Sequence, residues 1–289
     1  MNEKRLLNLT AAFFVVPFMT IYLVFQIYPL FQAIFASLFD WDLLTSGKSF
    51  IGLDNYKRMT TDPTFWSSLG NTVKFVVYST PLLIAAGLFF AVLFNGTGAR
   101  KGLFRTIFFA PYVFSVSVTT LIWGFMFNPQ KGLIGAFFMM IGAEPVYWLT
   151  DPRFAMFAII ICTLWWTVGF NMVLFLAGLQ DIDPSLYEAS ALEGARTHHN
   201  LFYITLPSLR RTLELVAVLQ VIASFQIFGQ VYILTRGGPG GTTRVLIQYI
   251  YETGFRDYTL GYASAMAFIL FVVMFLVSLL QLSISGEKN

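Results

Sequence analysis

Only one cysteine, Cys162, occurs in 289 residues, which rules out a disulfide framework and a cysteine-based metal site. Charge is scarce as well. Asp, Glu, Lys and Arg make up 11% of the chain, against about 25% in soluble domains. The net charge of +3 is small and its bases are scattered, so nothing forms a nucleic-acid footprint. The two histidines, His198 and His199, are adjacent. On a helix they diverge by about 100° and cannot grip one metal ion together. No carboxylate–histidine pair at catalytic spacing occurs elsewhere, so a polytopic membrane enzyme has no catalytic cluster to use. The run Gly237-Gly238-Pro239-Gly240-Gly241 lacks the Lys-Ser/Thr that completes a phosphate loop, and reads as a backbone turn. Any ATP-driven motor therefore has to be a separate chain.

Apolar surface is what the sequence has in excess, at 57% hydrophobic with 32 phenylalanines. One soluble core of this size cannot hide that much, so the bilayer must take it. Spanning takes roughly 20 apolar helical residues. Six runs qualify, near Ala11–Leu38, Thr72–Phe94, Leu103–Phe127, Phe154–Leu179, Leu213–Leu234 and Tyr262–Leu282. The fold class expected is an all-α integral membrane protein with six transmembrane helices. The first run is too long for a signal-peptide core and has no A-x-A cleavage pattern, so it reads as a retained span containing Pro17 and Pro29. Gly132–Gly142 is apolar but too short to span, which predicts an interfacial helix. Leu246–Tyr251 is a second such candidate, and Tyr147 and Trp148 suit a membrane–water boundary.

An even number of spans puts both termini on one side. With the N-terminus inside, the cytoplasmic bases are Lys4, Arg5, Arg100, Lys101, Arg105, Arg196, Arg210, Arg211 and Lys288. They barely outnumber the bases left outside, although the turn before Arg105 is dense in positive charge. Lys74 and Glu214 lie near span ends, where Lys74 can snorkel and Glu214 can pair with Arg210. The middle of the membrane is thus left uncharged, which disfavours a proton-coupled secondary sugar carrier.

Neutral polar and aromatic groups do enter the spans. Tyr112, Ser115 and Ser117 lie in the third, Trp165, Trp166 and Asn171 in the fourth, and Gln220, Ser224, Gln226 and Gln230 in the fifth. Such groups suit a sugar, which offers hydroxyl dipoles and apolar CH faces but no charge. The same residue types also glue membrane helices together. Gln220 and Gln226 are six residues apart and cannot share one face of a continuous helix, so at least one is expected to serve packing.

The longest polar stretch is residues 181–210. Ser185-x-x-Glu188 has the form of a capping box, with Pro184 just ahead of it. Leu186, Ala189 and Leu192 recur at helical spacing, which predicts a short helix with one apolar face. Gly194 can take positive φ and end that helix, and Thr197 can cap a second helical piece running to Pro207.

Within this stretch, Glu188-Ala189-Ser190 is followed after three residues by Gly194 and after nine more by Ile204-Thr205-Leu206-Pro207. That spacing resembles the loop with which ABC importer permeases of the carbohydrate-uptake class dock on their ATPase. Ser190 stands where the family has Ala, and Glu193 where it usually has Asp. The resemblance continues through Phe50-Ile51-Gly52-Leu53-Asp54-Asn55-Tyr56, Asp62-Pro63-Thr64-Phe65-Trp66, Asn71-Thr72, Arg105-Thr106-Ile107-Phe108-Phe109-Ala110-Pro111, Ile122-Trp123, Thr235-Arg236-Gly237-Gly238-Pro239 and Gly261-Tyr262-Ala263-Ser264-Ala265, covering about residues 11–283. It looks closest to permeases for oligosaccharides, with glycerol phosphates as the alternative cargo.

The resemblance implies a type I ABC importer permease fold. An N-terminal helix and outside segment would fill residues 1–69, and the shared transport core residues 70–289. It implies that Glu188, Ala189, Ser190, Glu193, Gly194, Ala195, Leu206 and Pro207 couple to the ATPase, Glu188 through polar contacts and Gly194 through the bend. It further implies a second homologous permease subunit, two ATPase subunits carrying the ATP and Mg, an extracellular sugar-binding protein, and a multi-pass bacterial cell-membrane location with both termini cytoplasmic. No cofactor is expected in this chain itself.

Overall fold

Without water to bond to, a backbone crossing lipid must satisfy its own polar groups, and every long apolar run here does so as helix. The computed structural model describes residues 3–44, 47–96 and 98–286, with side chains over 13–44, 47–96, 98 and 101–283. Glu287 and Lys288 lie outside the described residues, as do the side chains of Lys4, Arg5 and Arg100.

The elements in chain order are α1 (Glu3–Tyr22), a π-helical turn (Leu23–Ile27), α2 (Tyr28–Ala36), β1 (Phe39–Trp41), β2 (Lys48–Phe50), α3 (Asp54–Thr61), α4 (Pro63–Phe94), α5 (Ala99–Val113), α6 (Val116–Met126), α7 (Leu133–Met140) and α8 (Ala155–Gln180). They continue with α9 (Pro184–Leu192), α10 (Thr197–His199), a π turn (Asn200–Thr205), α11 (Leu206–Ser208), α12 (Arg210–Phe225), α13 (Gly229–Leu234), α14 (Leu246–Tyr251), a π turn (Glu252–Arg256) and α15 (Leu260–Gly286). Among the described residues five helices are long and apolar enough to cross a membrane, or six if α5 and α6 together form one span.

That pair corrects the expected third span. Leu103–Phe127 is two helices bent by 101°, because Pro111 brings no N–H to the last turn of α5 and the Ser115 oxygen starts a new helix by accepting from Val118 N at 3.3 Å. The expected fifth span holds as Arg210–Leu234, with a short irregular turn inside it where α12 stops at Phe225 and α13 begins at Gly229. In the first span Pro29 is accommodated beside the π turn Leu23–Ile27.

By contacts the chain forms two compact units, residues 1–62 with 250–272, and residues 63–249 with 273–289. Residues 69 and 70, where the resemblance starts the transport core, lie within α4. In the first unit β1 and β2 pair antiparallel, Trp41 opposite Lys48, whose Nζ lies 3.8 Å from the Trp41 ring centre. Buried Asn55 donates to Ser37 O at 2.8 Å and Phe39 O at 3.0 Å, and Tyr262 donates to Asp62 Oδ2 at 2.6 Å. A side chain at Gly261 would lie 2.0 Å from Phe39 O, so only glycine allows that approach. Of the motif residues, Asn55, Gly261 and Tyr262 thus hold this unit together.

The second unit is built on α4, α5, α8 and α12. Lipid tails are as apolar as leucine, so helices here need close approach and hydrogen bonds to associate. Gly169 seats α8 on the backbone of Phe108 and Phe109, and Gly87 seats α4 on Asn171. Ala91, Phe94, Met172, Phe175, Leu209 and Val216 form a core between α4, α8 and α12. Arg105 caps the end of α4 through Phe94 O and Gly96 O, each at 2.8 Å. Asn71 holds the glycine-rich turn by donating to Gly241 O at 2.9 Å and Arg244 O at 3.0 Å.

α7 forms as expected and exposes Leu133, Phe137 and Met140. α14 departs from the interfacial reading, because Leu246 and Gln248 are fully buried and Leu246 N donates to Thr72 Oγ1 at 2.9 Å.

Candidate functional site

A cavity of about 470 Å³ opens among α4, α5, α6, α8, α12 and α13, within the usual size range of ligand sites. Seven sequence-predicted residues line it: Tyr112, Trp166, Asn171, Gln220, Ser224, Gln226 and Gln230. Tyr112 and Phe170, both in its lining, stack on each other with ring centres 4.9 Å apart and planes at 17°. Trp166 Nε1 donates to Phe114 O at 3.1 Å, which satisfies the carbonyl exposed where α5 ends and α6 begins.

Three candidates lie elsewhere, of which Ser117 sits in the first turn of α6 and does not line the cavity. Ser115 is the cap of α6 and does not line the cavity. Trp165 is on the other side of α8, in an apolar recess of about 430 Å³ with Pro111 and Phe108. Gln220 serves packing, as expected of at least one of the two glutamines, yet it shares the cavity wall with Gln226. Both line the cavity because the helix ends between them, and Gln226 turns with the linker rather than with α12.

The polar groups divide into two sets. Asn171 donates to Gln220 Oε1 at 2.9 Å, Gln220 donates to Ser224 Oγ at 3.1 Å, and Thr80 donates to Ser224 Oγ at 3.2 Å. This buried chain ties α4, α8 and α12 together, and its members are largely spent on one another. The carboxamides of Gln226 and Gln230 bond to no described side chain or backbone group and keep their donors and acceptors for the cavity.

Thr163, Thr167 and Phe170 were missed by sequence reasoning, although they line the same cavity. A signal existed. With Trp166 and Asn171 they recur at i, i+3, i+4, i+7 and i+8 along α8, one face of a helix. Phe75, Val116 and Phe228 carry no comparable signal, because breaks and crossings bring them in.

The polar stretch between α8 and α12 folds as a hairpin. Its first helix, α9, is capped by Asp183, whose carboxylate accepts from Ser185 N at 2.9 Å, with Pro184 at the first helical position. The Ser185–Glu188 capping box therefore does not form, since Asp183 takes the cap. Arg196, not Thr197, precedes α10, and no side chain caps that helix. At the far end of α9, Gly194 has φ +76°. Its N–H donates to Ala191 O at 3.1 Å, and Ala195 N–H to Ser190 O at 2.9 Å, a Schellman closure.

The face of α9 that packs carries Tyr187 and Ser190. Tyr187 rests against the α4–α8–α12 core and its hydroxyl bonds to Thr205 Oγ1 at 2.9 Å, while Ser190 bonds back to Tyr187 O. Ala189 and Leu192 are exposed, Leu192 to 92%, and Leu186 is exposed at the edge of a recess it shares with Ser208, Arg211 and Thr212. Glu188, Glu193, Gly194 and Pro207 are exposed with them, and Ala195 and Leu206 are half-buried. Arg210 and Glu214 pair at 2.8 Å where α12 begins.

The Ser185 amide holds the Asp183 carboxyl below its usual range. A depressed acid contributes stability at neutral pH and loses it as pH falls through the lowered value. Asp183→Ala is expected to speed hydrogen exchange at the Ser185 amide at neutral pH, with Asp183→Asn close to the parent. Equal exchange in all three would remove the cap from the account.

A chain embedded in the membrane, with a polar cavity inside and a rigid hairpin hung between two cavity helices, has the build of a transport subunit. Residues 75–285 match the binding-protein-dependent transport system inner membrane components, and the chain belongs to that family. It is 33% identical over 296 residues to the lactose transport system permease protein LacF of Rhizobium radiobacter, covering 99% of this chain and 97% of that one. It is 34% identical over 278 residues to the trehalose/maltose transport system permease protein MalF of Thermococcus litoralis, covering 95% and 93%. The fold matches a chain of a bacterial alginate ABC transporter, solved in complex with an alginate pentasaccharide-bound periplasmic protein, at a TM-score of 0.87, 22% identity and coverage of 98% and 96%.

Proposed function

We propose that this chain is the permease subunit of an ATP-driven importer that receives a sugar from an extracellular binding protein and passes it through the cavity by alternating access. Relatives that span nearly its whole length are permeases named for lactose and for trehalose and maltose. The observation that carries the mechanism is the hairpin. It directly joins α8, which brings Trp166 and Asn171 to the cavity, to α12, which brings Gln220 and Ser224. A push on the hairpin reaches both walls without passing through a flexible link. Its outer face, with Leu186, Ala189 and Leu192 beside Glu188, docks on an ATPase subunit.

The working assembly holds a second homologous permease, two ATPase subunits with their ATP and Mg, and the sugar-binding protein. In it both termini and the hairpin face the cytoplasm, residues from about 70 onward form the shared core, and the first span lies against the partner permease. A lever of this kind has to meet the motor differently in its two states.

Glu188 is exposed and makes no bond within the described chain, so reversing its charge tests docking without disturbing the fold. Glu188→Lys is expected to cut uptake by about ten-fold or more and to weaken co-purification of the ATPase, with thermal melting unchanged. Parent-level uptake together with full ATPase retention would refute docking through this face.

A further inference from the structure

We infer that the cavity admits neutral glycosides and rejects anionic ones, with Gln226 and Gln230 as the residues that read the cargo. The inference deepens the functional proposal and rests on its premise that the sugar passes through this cavity.

Charge comes first. Among the described residues the lining holds no Lys, Arg, His, Asp or Glu. A carboxylate, sulfonate or phosphate drawn out of water needs a cation or several aligned donors in exchange. Backbone donors are the usual substitute, at the start of a helix. α6 starts at the cavity wall with Val116, but its first turn already has the Ser115 oxygen seated on Val118 N. An anion entering here would lose its hydration and meet no cationic side chain in exchange.

Valence of the hydrogen-bonding groups comes second. Asn171, Gln220 and Ser224 are engaged with each other and with Thr80. Gln226 and Gln230 both line the cavity, and their carboxamides hydrogen-bond to no described residue, although Gln230 is only 8% exposed. Each carboxamide presents two donors and a carbonyl acceptor side by side. A sugar hydroxyl both gives and takes a hydrogen bond, so it can match either half of an amide. A carboxylate can only accept, and would set its negative oxygens against the amide carbonyl. The stacked Tyr112 and Phe170 rings add an apolar platform suited to the CH face of a pyranose. Glycerol phosphate, which has the charge and lacks the ring face, fits neither feature.

The test uses the assembled importer in lipid nanodiscs without its binding protein, so that the binding protein's own selectivity does not intervene. The probes are neutral mono-, di- and trisaccharides of glucose, galactose and arabinose, with 6-carboxylate counterparts of the hexose members, read by saturation-transfer NMR. At least one neutral hexose member is expected to receive transfer, and its carboxylate counterpart to bind about ten-fold more weakly or worse. Gln226→Ala and Gln230→Ala are expected to lose the neutral signal, and Gln226→Lys to raise carboxylate binding by about ten-fold relative to the parent.

A carboxylate that binds the parent as well as its neutral counterpart, with both signals lost in Gln226→Ala, overturns the charge selection and leaves the cavity as the sugar site. Neutral binding untouched by both alanine variants overturns the inference together with its premise, as does the absence of transfer to any neutral member. Gln226→Lys without any gain for the carboxylates overturns the role given to Gln226.

Discussion

Gly194→Pro is expected to abolish uptake while the importer still assembles in the membrane. Gly194 holds φ +76°, and proline is confined near −65°. The substitution also deletes the N–H that bonds to Ala191 O at 3.1 Å. Closure of α9 then fails, at a local cost of about 3 kcal/mol or more, and the chain leaves the helix in another direction. Residues 195–207 no longer return under Tyr187, and the outer face loses its fixed relation to α12.

Gly194→Ala separates conformation from crowding. A Cβ at Gly194 meets nothing within 4 Å, so alanine suffers only the left-handed backbone penalty of about 1–2 kcal/mol. Uptake is expected to fall modestly for alanine and at least about ten-fold for proline, following the difference in free energy. Hydrogen exchange at the Ala195 amide should rise in the same order. Normal transport by the proline variant would remove the hairpin from the coupling path.

Gly169→Val is expected to remove the folded protein altogether. Its Cβ would lie 2.1 Å from Phe108 O and 2.7 Å from Phe109 Cα, both backbone atoms that no rotamer change can move. α5 and α8 would have to part, and the cost is about 3 kcal/mol or more. The separation would also carry Phe170 away from Tyr112 and Trp166 from Phe114 O, so any surviving protein should have an altered cavity. Gly70→Ala is the control. Its Cβ also meets nothing within 4 Å, and in mid-helix alanine is favoured by about 1 kcal/mol, so melting should hold or rise slightly. A Gly169→Val protein purified at parent yield and melting temperature would show that the close approach is not needed.

The two glycines show how unevenly the site could be read from sequence. Gly194 announces itself, because a glycine closing a short capped helix has a local conformational reason to be there. Gly169 carries no such signal, since its reason is the backbone of a helix about sixty residues earlier. The same division runs through the polar residues. The Gly194 turn and the helix start at Pro184 are local events and legible in the sequence, whereas the capping group is Asp183 rather than the Ser185 of the capping-box pattern. Gln220 and Gln226 were judged on a continuous helix, and the break after Phe225 undid the premise. Ser115 looked like a cavity residue and proved to be the start of α6. Its oxygen was needed to satisfy a backbone made bare by the bend.

By itself the sequence determined the membrane class, the approximate spans and the polar hairpin with its glycine stop, because composition, run length and turn chemistry act over a few residues. Tertiary structure alone decided where the third and fifth runs break. It decided which face of α9 stays exposed, and which carboxamides are tied to each other and which are left to meet a cargo. Each of those outcomes depends on a partner atom dozens of residues away, and no local pattern carries its position.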